Sequence, residues 1–569
     1  MTVDVPPGLP LVLGALLAPL VPRLLRPAWL LLVPAAGLAH VVRMSLAFVA
    51  PWESWQVEML GHTLTLVRVD RLSLVFGIIF HIAALLSAIY ALHVREASHH
   101  VAGLSYAGAA VGAVFAGDLV TLFVWWELTA VASAFLVWQS GTPRALAAGT
   151  RNIVIQIISG VLLLAGAAIL ASRTGSIAFG RIGLDAPGGV LILAAFGIKC
   201  AFPLMHNWLQ DAYPESTPHG TVYLSAFTTK LAVYALARGF PGTEMLIWVG
   251  AAMTALPIFY AVIENDLRRV LAYSLNNQLG FMVVGVGLGT EMALNGTAAH
   301  AFCHILYKAL LFMSMGAVLH RTGTCNGTDL GGLYKSMPWT AAFCVVGAAS
   351  ISGFPLFSGF VSKSLILTAT ADNHRTVVWF VLLFASAGVF HHSGIKIPYF
   401  AFFGHDSGKR CPEAPPNMLA AMAVAAAACI GLGCWPRPLY AILPYAVEYA
   451  PYTAAHVVTQ LQLLAFSALA FGVLMRTGLY PPEQRALNLD FDWIYRWLGP
   501  RLARWTIVPA LAAIGRVQPA VGRDLAAAFL GEPGPDGRVR PPAGWSASTA
   551  VLVAVLALFV YLLIDYWRG

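Results

Sequence analysis

Seven of the 569 residues are lysine, and five of them, Lys199, Lys230, Lys308, Lys363 and Lys396, fall inside or at the rim of membrane-length apolar stretches. Only Lys335 and Lys409 fall in evident loops, whereas most arginines flank apolar segments. An ionisable side chain in hydrocarbon costs about 2.5–3.5 kcal/mol on insertion scales, so its presence there points to function. Lysine, unlike arginine, can give up its proton when buried. The chemistry this pattern suits is the movement of protons or cations.

Other residues join these lysines. Glu127, in TLFVWWELTAVASAFLVW, is the lone charge between Thr121 and Trp138 and must find a partner or stay protonated. Lys199 lies four residues before Pro203, which cannot donate to the Lys199 carbonyl, so a helix break is expected there with polar backbone left free. A Glu127–Lys199 pair across neighbouring helices would account for both charges. Lys230 sits near the middle of its span with no acid in its own helix. His300, His304 and Lys308 recur at i, i+4 and i+8 with Tyr307 adjacent, a spacing that lines one helical face and suits a proton wire. Lys363 follows a second interruption at Gly353 and Pro355. Lys396 is near a span end, where a pathway role and snorkelling to the interface are both open.

The elements that must position these groups are membrane helices. The composition is 59% hydrophobic and 11% charged, with a mean hydropathy of +0.74. Sixteen apolar runs approach the ~20 residues that span a bilayer as helix. They are expected near 8–22, 27–50, 72–93, 100–117, 119–138, 153–171, 190–208, 219–239, 243–263, 267–289, 293–319, 338–370, 376–402, 417–435, 455–475 and 549–567. Arginine and lysine are denser in loops after odd-numbered runs, which by the positive-inside rule predicts an N-terminus outside and those loops in the cytoplasm. The net charge of +8 is therefore spread between spans and does not indicate nucleic-acid binding. The n-region MTVD lacks the positive charge of a cleavable signal.

Seven scattered cysteines form no C-x-x-C pair, and no haem, iron–sulfur or phosphate-loop spacing occurs, so no cofactor or metal site is expected. From 1 to about 475 the pattern is span and short loop, one continuous helical bundle. The resemblance given below divides it into N-terminal helices (1–100), a first inverted repeat (101–240), a second (241–435) and a core helix (436–475). An amphipathic lateral segment (476–548) and a terminal span (549–569) complete the chain. Within the lateral segment, residues 490–530 mix aromatic and aliphatic residues with arginines, as in a helix lying in the interface.

FVWWEL, GIKCAFPLMHNWLQDAYPESTPHG, DLRRVLAYSLNNQLGF, AHAFCHILYKALLF and GFPLFSGFVSK stand in order over roughly residues 70–405. This set resembles the antiporter-like membrane subunits shared by Mrp-type Na+/H+ antiporters and respiratory complex I, the Mrp D-type subunits in particular. The resemblance implies an all-α polytopic fold of about fourteen helices with two inverted five-helix repeats, segments 4–8 and 9–13, whose seventh and twelfth helices are broken. It also maps residues. Glu127 matches the glutamate of the fifth helix, Lys199 the lysine of the seventh, Lys230 that of the eighth, His304 the histidine of the eleventh and Lys363 the charged residue of the twelfth. Lysine at 363 argues against the M-type complex I subunit. Gln278 departs from members that carry histidine there, which puts a relay through that point in doubt. The lateral segment and terminal span look like those of the L-type complex I subunit.

The function implied is that of a proton- and cation-translocating subunit in a hetero-oligomeric bacterial inner-membrane complex, exchanging H+ for a monovalent cation, Na+ by the resemblance. It works beside other membrane subunits in the lipid bilayer. Alternatives are a proton-pumping subunit of a complex I or membrane hydrogenase-type complex, the membrane partner of an inorganic-carbon uptake system, and a scaffold that transports nothing.

Overall fold

A computed structural model describes residues 5–59, 61–480, 488, 490–499, 501–502 and 504–505. The terminal span expected at 549–567 and most of the lateral segment lie outside the described residues.

The described residues are mostly helical, because in hydrocarbon only a helix or a closed barrel satisfies its own backbone. The helices in order are α1 (Leu9–Leu17), α2 (Arg26–Leu46), α3 (Arg71–Tyr90), α4 (Ala97–Val114), α5 (Leu119–Trp138), α6 (Pro143–Thr174), α7 (Gly189–Lys199), α8 (Asn207–Glu215), α9 (Gly220–Ala226) and α10 (Thr228–Gly239). There follow α11 (Glu244–Ile263), α12 (Leu267–Leu288), α13 (Glu291–Thr322), α14 (Pro338–Ser352), α15 (Ser358–Asp372), α16 (Thr376–Val389), α17 (Pro416–Cys434), α18 (Arg437–Ala441) and α19 (Ala454–Thr477). Among the described residues, nine helices are long and apolar enough to cross a membrane unaided, and the molecule is a multi-pass membrane protein. Sequence patterning did not anticipate the antiparallel hairpin of β1 (Trp52–Met59) and β2 (His62–Val69), in which Trp52 pairs with Val69 and Met59 with His62.

An internal repeat organises the bundle. Asp118 caps α5 by accepting from the Val120 and Thr121 amides, and Asp266 caps α12 from Arg268 and Arg269. Both capping residues also form a β-bridge, Asp118 to Ala178 and Asp266 to Asn326. Between bridge partners runs a 32-residue helix, α6 or α13, begun by a threonine cap (Thr142, Thr290) and ended by a left-handed glycine (Gly175, Gly323). A broken span then follows each, α7–α8 and α14–α15. The two copies start five spans apart, an odd number, so they cross the bilayer in opposite directions.

Close helix approach is set by small residues. At the crossing of α11 and α12, a Cβ on Gly250 would lie 2.7 Å from the Gly280 carbonyl, and one on Gly280 would lie 2.5 Å from the Gly250 carbonyl. Helix α13 runs through the middle with nearly every side chain buried. Tyr90 of α3 ties to it by donating to the Met313 carbonyl at 2.8 Å.

Candidate functional site

Both expected interruptions are present. Helix α7 stops at Lys199, and the connection to α8 passes through Ala201 and Leu204 at φ +62° and +72°. Helix α14 stops at Ser352, and Gly353 (φ +69°) and Leu356 (φ +75°) lead through Pro355 to α15. Positive φ at alanine and leucine is strained, and the surrounding packing must hold it. A third interruption was not expected. The run 219–239 is two helices, α9 and α10, parted at Phe227 (φ −103°, ψ −70°). No proline or glycine marks this point. Tyr106 of α4 supports it instead, its hydroxyl 2.5 Å from Thr228 Oγ1 and accepting from the Thr228 amide at 3.1 Å.

Buried lysines occupy these breaks. Lys230 Nζ donates to the Ser225 carbonyl at 2.5 Å, in the last turn of α9. Lys363 Nζ donates to the Ile351 carbonyl at 3.1 Å, in the last turn of α14, and lies 5.1 Å from the Phe281 ring centre. Lys396 is fully buried, which removes the snorkelling alternative, and donates to the Ala261, Val262 and Glu264 carbonyls at 3.4, 2.8 and 2.6 Å, at the end of α11. Each helix C-terminus presents unpaired carbonyls and a partial negative charge, which favour a cation there. Lys396 lies on a π-helical stretch, Phe390–Lys396, that continues from α16.

The expected direct Glu127–Lys199 ion pair is not formed. Lys199 Nζ donates instead to the Trp126 carbonyl at 2.5 Å and to Thr129 Oγ1 at 2.8 Å, and stands 4.4 Å from the Trp126 ring centre. Glu127 is one residue further along α5 and points to α6, where its carboxylate lies against Gly160, which has no side chain to exclude it. Its Oε1 is buried without a hydrogen-bond partner. The two charges are neighbours through space, not bonded partners.

On α13, His300, His304 and Lys308 are all fully buried, and the His300 and His304 rings stack with centres 6.1 Å apart. Neither His304 nitrogen nor Lys308 Nζ has a hydrogen-bond partner. His300 is the start of a directed chain. Asn277 donates to the Thr254 carbonyl, which leaves Asn277 Oδ1 to accept from Gln278 Nε2 at 2.7 Å. Gln278 Oε1 then accepts from the Tyr307 hydroxyl at 3.2 Å, so the Tyr307 oxygen is free to accept from His300 Nε2 at 3.4 Å. The other ring nitrogen, Nδ1, is 3.1 Å from Ser362 Oγ, one residue before Lys363. Gln278 thus anchors the orientation of His300 rather than titrating. Pattern reading missed His392, fully buried beside Ser393, with Lys308, His391, Lys396 and Lys363 as the charged or titratable groups around it. The adjacent pair His391–His392 points to two different sides of a helix and so carries no one-face spacing signal.

Lys199, Lys230, Lys308, Lys363 and Lys396 are thus all buried, as are His300, His304 and His392. Residues 116–390 match the family described as NADH:quinone oxidoreductase/Mrp antiporter, TM. Over that stretch the chain is similar to antiporter-like membrane subunits. It is 32% identical over 312 residues to the D subunit of the Na(+)/H(+) antiporter of Alkalihalophilus pseudofirmus, a match covering 52% of this chain and 63% of that relative. With the A/B subunit of a probable K(+)/H(+) antiporter of Rhizobium meliloti it shares 29% identity over 80% of its own length and 51% of the relative's. The chain thus spans about half to two thirds of the length of these curated relatives. The structure of the Mrp complex from Dietzia shares its fold, with a TM-score of 0.71 at 22% identity, over 85% of this chain and 100% of that one.

Proposed function

We propose that the subunit moves protons along a file of the buried lysines and histidines in exchange for a monovalent cation, Na+ or K+, as part of a hetero-oligomeric bacterial membrane complex. The observation that carries the reading is the coincidence of buried lysines with helix breaks. Lys199 ends α7 at the first break, Lys230 and Lys363 reach carbonyls at the other two, and the imidazole stripe of α13 lies between them. A lysine held by a carbonyl, as Lys230 and Lys363 are, keeps or releases its proton at small cost in structure, because neither state strands a partner carboxylate. Glu127 modulates the charge of Lys199 from the neighbouring turn. The N-terminus lies outside, so the ends of α3, α11 and α13 face the cytoplasm. Names of the relatives supply both cations and the antiport.

The test uses the complex with its co-purified partners, reconstituted in vesicles, with antiport followed by a pH-sensitive dye. K199A, K230A and K363A in assembled complexes are expected to abolish exchange, and E127Q to slow it. Exchange at the wild-type rate in K230A and K363A would refute the pathway.

A further inference from the structure

Five histidines outside the lysine file gather at one end of the bundle. His93 follows α3, His99 and His100 open α4, His219 precedes α9, and His320 lies in the last turn of α13. His93 and His219 are joined Nε2 to Nε2 at 2.9 Å, with ring centres 4.6 Å apart. His320 is 5.2 Å from His93, His99 is 5.7 Å from His219, and His100 is 5.8 Å from His99.

The partners settle where the hydrogens sit. Asn417 Nδ2 lies 3.0 Å from His93 Nδ1 and, as an amide nitrogen, can only donate to it, its two hydrogens being shared among this nitrogen and the Ile89 and Tyr90 carbonyls. His93 then carries its hydrogen on Nε2 and gives it to His219. His99 Nδ1 meets Gln139 Oε1 at 2.8 Å, and His100 Nε2 meets the Val94 carbonyl at 2.9 Å, so both nitrogens carry hydrogen. The opposite nitrogens, His99 Nε2 and His100 Nδ1, are buried, bare and without a donor. They are vacant proton acceptors.

One side of this cluster opens outward. His100 lines a cavity of about 690 Å³ together with Arg23, Arg26, Arg95 and Glu96. The other side leads inward along α9. The Tyr223 ring lies 6.4 Å from His99 and 6.5 Å from Phe227, and its buried hydroxyl has no partner. Phe227 is the break, where Lys230 reaches the Ser225 carbonyl. The eleven residues from His219 to Lys230 span about 16 Å at 1.5 Å per helical residue, roughly half a bilayer core.

We infer that the five histidines form a proton-uptake site that loads the Lys230 position through Tyr223. The inference rests on the pathway proposed above and adds its entrance. A cluster of neutral rings with two vacant acceptors takes a proton from the cavity, and the shared His93–His219 hydrogen bond passes charge between α3 and α9. The other groups facing it are Arg26 from α2, Tyr90, Arg95 and Glu96 around the α3–α4 turn, Gln139 after α5, Arg321 of α13 and Asn417 of α17. Glu96 is the one carboxylate among them and favours the protonated rings, while the arginines oppose full charging.

The complex in vesicles is assayed for exchange against pH on the arginine-rich face. H99Q and H100Q are each expected to slow exchange and to shift its half-maximal pH, because each removes one of the two vacant acceptors. Y223F, which keeps the ring packing, is expected to slow exchange at every pH. Carbon-2 hydrogen exchange at each histidine, read by mass spectrometry, is expected to show the His93 and His99 titrations shifting in H219Q. An unchanged pH profile in H99Q and H100Q, with exchange still lost in K230A, would overturn the uptake site and leave the pathway standing. Exchange surviving in K230A would overturn the pathway itself. Should H219Q fail to assemble, H320Q at the exposed edge supplies the same titration readout, and unshifted neighbours there overturn the linkage.

Discussion

Asp490 Oδ2 lies 2.8 Å from His206 Nε2, fastening the segment after α19 to the interruption between α7 and α8. Arg496 adds a second tie at 2.8 Å to Asp211, which also holds Arg151 at 2.5 Å. Asp490 is 3% exposed, and burial works against its charge. Hydrogen bonds from His206, the Phe491 amide and Asn207 outweigh that burial and hold the carboxyl below its ordinary 3.8. A lowered carboxylate stabilises the folded contact above its unfolded value, and the contribution is lost as pH falls through the folded one. The docking is thus expected to be intact from neutral pH down to about 4, the ordinary carboxylate range, and to fail below it. Protease sensitivity of the 481–505 region against pH reads this directly. In D490N the same sensitivity should appear at neutral pH.

Gly160→Ala is expected to displace the Glu127 carboxylate, which occupies the space a methyl would take. Overpacking of this kind costs about 1–3 kcal/mol. Exchange in G160A should fall toward that of E127Q with assembly retained. A wild-type rate in G160A would show that the carboxylate has another position open to it.

Thr129→Val removes one of two hydrogen-bond partners of Lys199 Nζ and keeps the side-chain volume. Loss of a hydrogen bond to a charged group costs about 1.5–3 kcal/mol. Exchange should drop and the complex should melt somewhat earlier, with the Trp126 carbonyl still holding the amine.

Gln278→Leu breaks the chain from Thr254 to His300 in its middle. Tyr307 is left without its acceptor, at about 1–3 kcal/mol for a buried unsatisfied group. Exchange should slow and the complex should melt earlier. In Q278E the acceptor survives, and the Tyr307 bond with it, so the rate loss should be smaller than in Q278L.

Lys396→Met is expected to destabilise assembly more than it alters ion exchange. Its three carbonyl acceptors at the end of α11 would be left unpaired in a buried site. A yield loss with normal exchange per assembled complex assigns Lys396 to holding α11 against the π-helical stretch.

Much of this was legible in the chain because it is local. Hydropathy marks spans, since burial in lipid acts residue by residue. Pro203, Gly353 and Pro355 mark two breaks because they alter the backbone at their own positions. Lysine rarity marks the file, since a charge in hydrocarbon is costly wherever its partners lie. The partners themselves were decided by tertiary packing. Lys199 takes the carbonyl of a residue 73 positions earlier rather than the expected Glu127 carboxylate, because α5 presents Trp126 and Thr129 to α7 while Glu127 turns to Gly160. The break at Phe227 is supported by Tyr106, 122 residues from Thr228, and leaves no mark of its own in the chain. The five histidines are gathered from the ends of separate helices, a proximity that no spacing encodes. Sequence alone determined that cations are buried in a membrane; the three-dimensional packing chose which carbonyl, ring or hydroxyl each one meets.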